Sequence, residues 1–234
     1  MPTASSRPEN WESLTHDLTG ILSQPNPITQ EETRLFIDRL AQPESFAQMV
    51  ESLLVSTSLA EHVARHSYRH PLGFDKFVLA PLRPLGQLRL HVWWPEDTRE
   101  REHIHNHRFG FMSAVLLGEV RTSVYRPAAG DDLTHFSEVG GYREWRFEDL
   151  GRGSTALSIA AALAAGSVYA MPADALHRID ATPQLTATLF LETSANRPAS
   201  SVYVAGGGKP ETYVGKELAA QDVRERFTRL LEFV

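Results

Sequence analysis

The sequence of 234 residues contains no cysteine. This absence excludes disulfide bonds, thiolate metal sites, cysteine-based zinc fingers, iron–sulfur clusters and a cysteine nucleophile. It fits a reducing compartment, and we predict a cytoplasmic protein.

Long apolar runs are missing as well. No stretch approaches the roughly 18 consecutive apolar residues that a membrane-spanning helix requires. The polar segment 1–10 has no apolar core of signal-peptide length. We therefore expect a soluble chain that has no membrane partner.

Clustered basic charge is also absent. The chain has 23 basic and 29 acidic residues, a formal net charge of −6, and no block of lysine and arginine. Nucleic acid would require a clustered basic face, so we do not expect it as a partner. A content of 42% hydrophobic and 22% charged residues is typical of a globular domain.

The first part of the chain has helical patterning. Thr29 precedes Gln and Glu residues in a capping signature, and apolar residues then recur at helical spacing. A second amphipathic helix begins at Pro43, and its pattern continues to about His66. We predict a helical extension over residues 1–72 that packs on the remainder of the chain.

From Gly73 onward, short runs rich in Val, Leu, Tyr and Phe alternate with Gly, Pro and Asp. This spacing predicts an antiparallel β-barrel or sandwich. The predicted strands are 77–82, 87–93, 110–117, 119–125, 142–147, 167–171 and 186–192.

Residues 154–165 are ambiguous. Their alanines favour a helix, but the segment lies between predicted strands and ends at Gly166, so we interpret it as a strand and a turn. We assign the barrel to 73–205. A C-terminal loop and an amphipathic helix that starts near Glu217 occupy 206–234.

The most informative segment is the run of alternating histidines at 103–107. In an extended strand, alternate side chains share a face, so His103, His105 and His107 would point the same way. Two imidazoles at this spacing can chelate one ion. Histidines also cluster on loops because they are polar, so metal binding and a polar loop are equal alternatives here.

A second segment could supply a third ligand. Gly166 is followed by five residues and Pro172, and His177 lies five positions further on. A strand that leads into a proline turn, followed by a histidine in the next strand, could bring this imidazole beside the first two.

These two segments resemble the paired motifs of the cupin superfamily. The first motif commonly reads G-x5-H-x-H-x3/4-E-x6-G, and the second reads G-x5-P-x-G-x2-H-x3-N. The spacing to Gly118 selects His105 and His107 as the motif pair, because no glycine lies at the required distance from a His103–His105 pair. The second motif is matched by Gly166, Pro172 and His177, with Asp174 at the position of its second glycine and Ala181 at that of its asparagine.

The departures from the motifs are informative. Phe111 stands at the position of the usual glutamate ligand, and Arg99 replaces the leading glycine. The remaining ligand set, three neutral imidazoles, resembles that of the three-histidine cupins, above all the thiol dioxygenases. The resemblance covers residues 75–195. It implies a mainly β, cupin-type antiparallel barrel (jelly roll) with N-terminal helices and a C-terminal helix.

Three imidazoles suit iron, nickel, copper or zinc rather than hard cations. Three protein ligands leave coordination positions open, which is typical of a catalytic site. The resemblance implies Fe(II) at His105, His107 and His177, and Ni, Cu and Zn remain as alternatives. A neutral ligand set favours an anionic substrate that chelates the ion.

A small acid would require a nearby cation. Arg89 shares a predicted strand face with His91, so it could bind a carboxylate in a bidentate manner. The alternative is an outward-facing arginine on an exposed strand. Arg83 is a second cation, and Phe111 completes the predicted substrate-binding set.

Two further residues are candidates for catalysis. Tyr169 precedes Pro172 and could reach the substrate or bound oxygen, although a core tyrosine is the alternative. Thiol dioxygenases often use a Ser-His-Tyr group, whose His and Tyr lie on the strand after the third ligand. Segment 186–192 has neither residue type, which argues against a thiol substrate. His103 is left as a neighbouring acid–base group.

The histidines outside the two motifs are interpreted as surface or packing residues. They are His16, His62, His66, His70 and His135.

Three functions remain open at this stage. The leading one is a mononuclear non-haem Fe(II) dioxygenase that uses O2 and a small polar, acidic metabolite. The second is a redox-neutral isomerase or lyase that uses the metal as a Lewis acid. The third is a cupin that binds a metal or ligand without catalysis. By analogy with cupins, the chain could form a homodimer through its edge strands.

Overall fold

The computed structural model describes residues 11–97, 102–130, 132–140, 144–181, 183–210 and 212–234. Three features discussed above therefore lie outside the described residues. They are the tail 1–10, Arg99 and the beginning of the predicted strand 142–147.

Helices precede and follow the β structure. They are α1 (Trp11–Leu22), α2 (Glu31–Leu40), α3 (Pro43–Val55), α4 (Thr57–His66) and α5 (Ala220–Leu231), with a 3-10 turn at Pro27–Thr29. Among the described residues, no helix combines the length and apolar character needed to cross a membrane.

Three helix boundaries differ from the prediction. Helix α2 begins two residues after Thr29, whose hydroxyl instead donates to the Asn26 carbonyl at 2.9 Å. The predicted helix 43–66 is interrupted at Ser56, where the backbone is extended and the side chain accepts a hydrogen bond from Leu59 N. Helix α5 starts at Ala220 because Lys216–Glu217 forms a short strand.

Fifteen strands are described. They are β1 (Tyr68–His70), β2 (Phe74–Leu82), β3 (Gly86–Trp93), β4 (Ile104–His105), β5 (Phe109–Leu117), β6 (Glu119–Pro127), β7 (Leu133–Gly140), β8 (Glu144–Gly153), β9 (Thr155–Ala164), β10 (Val168–Met171), β11 (Leu176–Ala181), β12 (Thr186–Ala195), β13 (Ser200–Ala205), β14 (Tyr213–Val214) and β15 (Lys216–Glu217). The alanine-rich segment is therefore the predicted strand and turn, as β9 confirms.

The strands form two antiparallel sheets. One has the order β10-β5-β12-β3-β2-β1-β15, and the other has the order β14-β8-β7-β13-β4-β11-β6-β9. Strands β1, β14 and β15 join these sheets although they lie outside the range 73–205. The predicted mainly β, antiparallel barrel with helical additions is confirmed.

The seven-stranded sheet is buried on both faces. On β3, Leu88, Leu90 and Val92 belong to the core shared with the helices, whereas Arg89 and His91 line the barrel interior. Each fully buried leucine contributes about 1.5–3 kcal/mol through the hydrophobic effect. The helical layer thus stabilises the sheet that forms one wall of the interior.

Helix α5 is fixed to this sheet by packing and charge. Phe227 packs edge-on against Phe77 with ring centroids 4.7 Å apart. The buried carboxylate of Asp75 accepts a hydrogen bond from Trp94 Nε1 at 2.6 Å and forms an ion pair with Arg226. Because a buried charge requires compensating partners, these contacts specify where the helix docks.

Candidate metal centre

Three imidazoles converge on the inner side of the barrel. The ligand atoms of His105, His107 and His177 lie within 4.8 Å of one another. His105 on β4 pairs directly with His177 on β11, and His107 lies in the connection from β4 to β5. The two motif segments are therefore neighbours in space, as their resemblance to the cupin motifs implies.

The backbone orients two of these rings. Nδ1 of His105 lies 3.0 Å from the His103 carbonyl, and Nδ1 of His177 lies 2.9 Å from the Ala175 carbonyl. Because a carbonyl oxygen can only accept, each Nδ1 carries the proton and each Nε2 keeps its lone pair. Metal-binding histidines commonly use this arrangement, so the residues fit a resident metal ion.

The segment between the two motif histidines is held by Asn106, which sequence reasoning did not single out. Asn106 is buried; its backbone N–H donates to the Ser201 carbonyl at 3.1 Å, and its Oδ1 accepts from Ser201 N at 2.6 Å. This closed pair of bonds fixes the backbone from which His105 and His107 project.

Burial keeps two of the three imidazoles, His107 and His177, neutral. It lowers the pKa of His177 to about 3, with a further contribution from His105. The pKa of His107 is also well below its ordinary value because of burial and its two histidine neighbours. Neutral imidazole is the form that binds a metal, so protons do not compete for the nitrogens of His107 and His177 near neutral pH.

Phe111 occupies the place of the carboxylate ligand of the first motif. Its side chain is 1% exposed, and its ring centroid lies 5.4 Å from that of His107 and 5.6 Å from that of His177. Within the part of the chain that the structure describes, no carboxylate joins the three-histidine cluster. The candidate site is therefore an uncharged one, enclosed by aromatic rings.

Gly118 lies in the turn between β5 and β6, and Gly166 precedes β10. The backbone φ angle at each position explains why it is a glycine. Gly118 and Gly166 have φ angles of 72° and 87°. These values lie in the left-handed region that side chains with a Cβ rarely adopt.

The histidine cluster faces a cavity of about 680 Å³ between the two sheets. Its walls come from alternate residues of β2, β3, β5 and β12, whose other residues face the helices. A volume of this size accommodates a small organic ligand.

Arg89 lies inside this cavity rather than on an exposed face. It is 6% exposed and forms an ion pair with Glu192 on β12, and Gln87 Nε2 donates to the same carboxylate at 2.9 Å. Its guanidinium lies 5.2 Å from the Phe109 ring centroid and 5.4 Å from that of Phe190. Burial lowers the pKa of Arg89 to about 9.

The other predicted substrate-binding residues lie at different depths. Arg83 is exposed in the turn after β2, at the edge of the cavity. His91 is buried, and its Nε2 has no hydrogen-bond partner among the described residues. Burial also lowers the pKa of His91 well below its ordinary value, so this ring is neutral.

The two predicted catalytic side chains both line the cavity. Tyr169 on β10 lies opposite Ser113 on β5, and its ring centroid is 6.0 Å from that of Phe111. Burial raises the pKa of Tyr169 to about 12, so its hydroxyl is protonated at neutral pH. His103 is exposed, and it contacts His105 through its carbonyl oxygen.

Several cavity residues were not found from the sequence. Lys76 on β2 donates to the Tyr68 hydroxyl at 2.8 Å, and Glu192 is the partner of Arg89. His70 also lines the cavity, stacked on Phe74 with centroids 4.4 Å apart. Strand β2 begins three residues earlier than predicted, and alternation from Phe74 would have placed Lys76 on the inner face.

Comparison with known proteins finds similarity to solved structures only at low sequence identity. No family model and no curated protein matches the chain. Solved structures of similar shape include a variant of oxalate decarboxylase from Bacillus subtilis, with 12% identity, a TM-score of 0.36, and coverage of 57% of this chain and 28% of that one.

A cupin-like protein from Thermotoga maritima has 13% identity and a TM-score of 0.32, with coverage of 68% of this chain and 90% of that one. A hydroquinone dioxygenase, solved with Cd²⁺, has 13% identity and a TM-score of 0.31, with coverage of 51% and 63%. The chain thus spans less than a third of the decarboxylase.

The two motif strand pairs are adjacent in one barrel, with β10 beside β5 and β11 beside β4. Together with the two antiparallel sheets, this topology agrees with the cupin-type barrel that the two motifs imply, and the barrel carries a potential three-histidine metal site.

Proposed function

We propose that the chain is a mononuclear non-haem Fe(II) dioxygenase that acts on a small, polar, acidic metabolite. The observation that carries this proposal is the convergence of three imidazoles on one wall of a cavity of about 680 Å³. A ligand set of three residues leaves open coordination positions for a substrate and O2.

The three histidines and the phenylalanines around them would have different roles in the reaction. His105, His107 and His177 would hold the ion, which would supply a redox couple and a Lewis acid when bound. Because the ligands are uncharged, the full positive charge of the ion would be available to attract an anionic substrate. Phe109, Phe111 and Phe190 would limit the access of water.

Two groups near the cluster, Tyr169 and His103, could donate a hydrogen bond or exchange a proton during the reaction. Tyr169 lines the cavity and remains protonated, so its hydroxyl can donate a hydrogen bond to an anionic ligand. His103 lies at the exposed side of the cluster and can exchange protons with solvent. Arg89 would act mainly by holding Phe109 and Phe190, since its charge is already paired with Glu192.

A second candidate is a redox-neutral lyase or isomerase that uses Zn or Ni. The three-imidazole set favours it too, because neutral histidines in a tetrahedral arrangement are typical zinc ligands. In that case, the ion would polarise a carbonyl group or a bound water molecule.

The test is oxygen consumption by the iron-loaded protein with a panel of small acids, thiols and phenols. We expect at least one acid to stimulate O2 uptake, and the His177→Ala variant should lose this activity. If no compound stimulates uptake, the dioxygenase proposal fails. Turnover by the Zn-loaded protein under strict anaerobiosis would support the lyase or isomerase instead.

We also propose a cytoplasmic homodimer that forms through strand β9. Among the described strands, β9 pairs only with β6, and its ten residues carry no charge. Leu157 and Ile159 on it are 57% and 59% exposed. Long apolar edge strands readily pair with another chain, and an uncharged strand can pair with its own copy. The Ile159→Lys variant should be monomeric by light scattering.

A further inference from the structure

An uninterrupted series of aromatic rings runs along the cavity lining from Trp145 to the histidine cluster. Trp145 lies 5.8 Å from His70, His70 lies 4.4 Å from Phe74, and Phe74 lies 5.1 Å from His91. These centroid distances are within the range of favourable ring contacts.

The series continues to the metal ligands. His91 lies 5.0 Å from Phe190, Phe190 stacks on Phe111 at 4.5 Å, and Phe111 contacts His107 at 5.4 Å. The tilted rings Phe74, His91 and Trp93 form a cluster within 5.0–6.0 Å of one another on the wall away from the ligands. A flat, unsaturated ligand would match such a wall better than an aliphatic one.

Two polar groups on this wall are available to a ligand. His91 Nε2 is buried and has no partner among the residues described, so it needs a hydrogen bond that a ligand can supply. Lys76 is the cross-strand neighbour of His91 and lines the same cavity.

The charge around Lys76 favours an anion. Burial, together with the positive charges of Arg89, Arg83 and Arg108, lowers the pKa of Lys76 well below its ordinary value, and the carboxylate of Glu138 only partly opposes this. Arg89 is paired with Glu192, whereas Lys76 donates a hydrogen bond to the Tyr68 hydroxyl and lies 5.1 Å from the centroid of the Tyr68 ring. The local excess of positive charge would stabilise a carboxylate placed beside Lys76 and His91.

We infer that the cavity contains a subsite for an aromatic carboxylate. The ring of the ligand would lie against Phe74, Trp93 and His91, and its carboxylate group would be bound by His91 and Lys76. The inference rests on the proposed function only in taking the ligand to be the substrate, because the subsite itself is built from residues away from the metal cluster.

The test uses three small probes on metal-free protein in a chelating buffer, so that no ion contributes to binding. Benzoate, cyclohexanecarboxylate and benzamide are titrated while the intrinsic tryptophan fluorescence, to which Trp93 and Trp145 in the cavity lining contribute, and the heat of binding are recorded. Benzoate and cyclohexanecarboxylate carry the same charge, but hydrophobicity alone would favour the cyclohexane ring.

We expect benzoate to bind about tenfold more tightly than cyclohexanecarboxylate because of ring contacts. We also expect benzoate to bind at least about threefold more tightly than benzamide because of the cationic surroundings. Equal affinities of the two carboxylates would overturn the aromatic part of the inference. Equal affinities of benzoate and benzamide would overturn the assignment of a carboxylate.

Two lysine variants separate the roles within the subsite. Lys76→Met should reduce the preference for benzoate over benzamide and keep the preference for benzoate over cyclohexanecarboxylate. Lys209→Met is the matched control, because Lys209 is exposed and outside the cavity lining. The wild-type measurements remain decisive even if Lys76→Met fails to fold.

The subsite and the oxygenase proposal can fail separately. Benzoate binding without O2 uptake by any compound would leave the subsite intact and reject the dioxygenase. O2 uptake that only aliphatic acids stimulate, together with equal binding of benzoate and cyclohexanecarboxylate, would support the dioxygenase and reject the subsite.

Discussion

The guanidinium of Arg89 and the carboxylate of Glu192 form an ion pair inside the barrel, across the β3–β12 strand pair. Both residues are at most 9% exposed, so neither charge can regain the hydration that it loses on folding. Such a pair is costly to bury, but it is more costly to break, since the remaining charge then lies uncompensated in the interior.

The first prediction concerns this pair. Glu192→Gln should lower the free energy of unfolding by about 3 kcal/mol, because it leaves the buried Arg89 without a counter-charge. Urea unfolding monitored by circular dichroism measures the loss. The matched control is Glu148→Gln, an exposed position on β8 that should change stability by less than about 0.5 kcal/mol. An equally small effect at both positions would contradict the structural role of the pair.

The second prediction concerns the metal ligands. His105→Ala and His177→Ala should each weaken metal binding by more than about 100-fold, because removal of a direct ligand costs more than removal of its supporting contacts. Elemental analysis after purification and dialysis measures metal content. His135→Ala is the control, since His135 stacks on Tyr203 and is not part of the cluster. Metal retained at full occupancy by both ligand variants would remove the basis for the site.

The third prediction concerns the position of the absent carboxylate. Phe111→Glu should destabilise the metal-free protein by several kcal/mol, because an unpaired carboxylate would be buried among aromatic rings. A divalent metal should restore much of this stability, since the new carboxylate would join the imidazoles as a ligand. Thermal unfolding with and without Mn²⁺ tests the coupling. Phe111→Leu serves as the control and should respond to the ion no more than the wild type does.

The ligand cluster can be predicted from the sequence because the motif spacing encodes strand geometry. A one-residue gap places His105 and His107 close together, and the turn at Pro172 returns the chain so that His177 pairs with His105. The spacing after His107 also identifies Phe111 as the apolar residue at the position of the usual glutamate ligand. These are local features, within reach of pattern analysis.

The opposite wall of the cavity is harder to predict because it depends on pairing between distant strands. Gln87 and Glu192 are 105 positions apart, and no local pattern indicates that they share a hydrogen bond. Lys76 was missed because the predicted strand began at Phe77, three residues after the observed start of β2 at Phe74. The N-terminal half of β2 is what brings Phe74 and Lys76 into the cavity.

The fourth prediction concerns acid sensitivity at the α5 contact. The hydrogen-bonded ion pair with Arg229 lowers the pKa of Glu96 from 4.5 to about 2. A carboxyl whose pKa is lower in the folded state stabilises the fold above its unfolded pKa, and this contribution is lost as pH falls towards the folded pKa.

Glu96→Gln should therefore lower the Tm slightly at pH 7, and the difference from the wild type should disappear between about pH 4.5 and pH 2. The effect corresponds to less than about 1 kcal/mol because both side chains are substantially exposed. Differential scanning calorimetry over this pH range gives the measurement. A Tm difference that grows on acidification would show that the pair does not act in this way.

Because the seven-stranded sheet has helices on one face and the cavity on the other, two kinds of constraint alternate along each strand. In a saturation mutagenesis library of β3, Leu88, Leu90 and Val92 should limit how much protein accumulates in the cell. Arg89 should do so too through its ion pair, whereas substitutions at His91 should alter ligand binding in protein that still accumulates. Abundance and binding scores would therefore separate at His91, between Leu90 and Val92, and the chain could change its ligand specificity at such a cavity position without rebuilding its core.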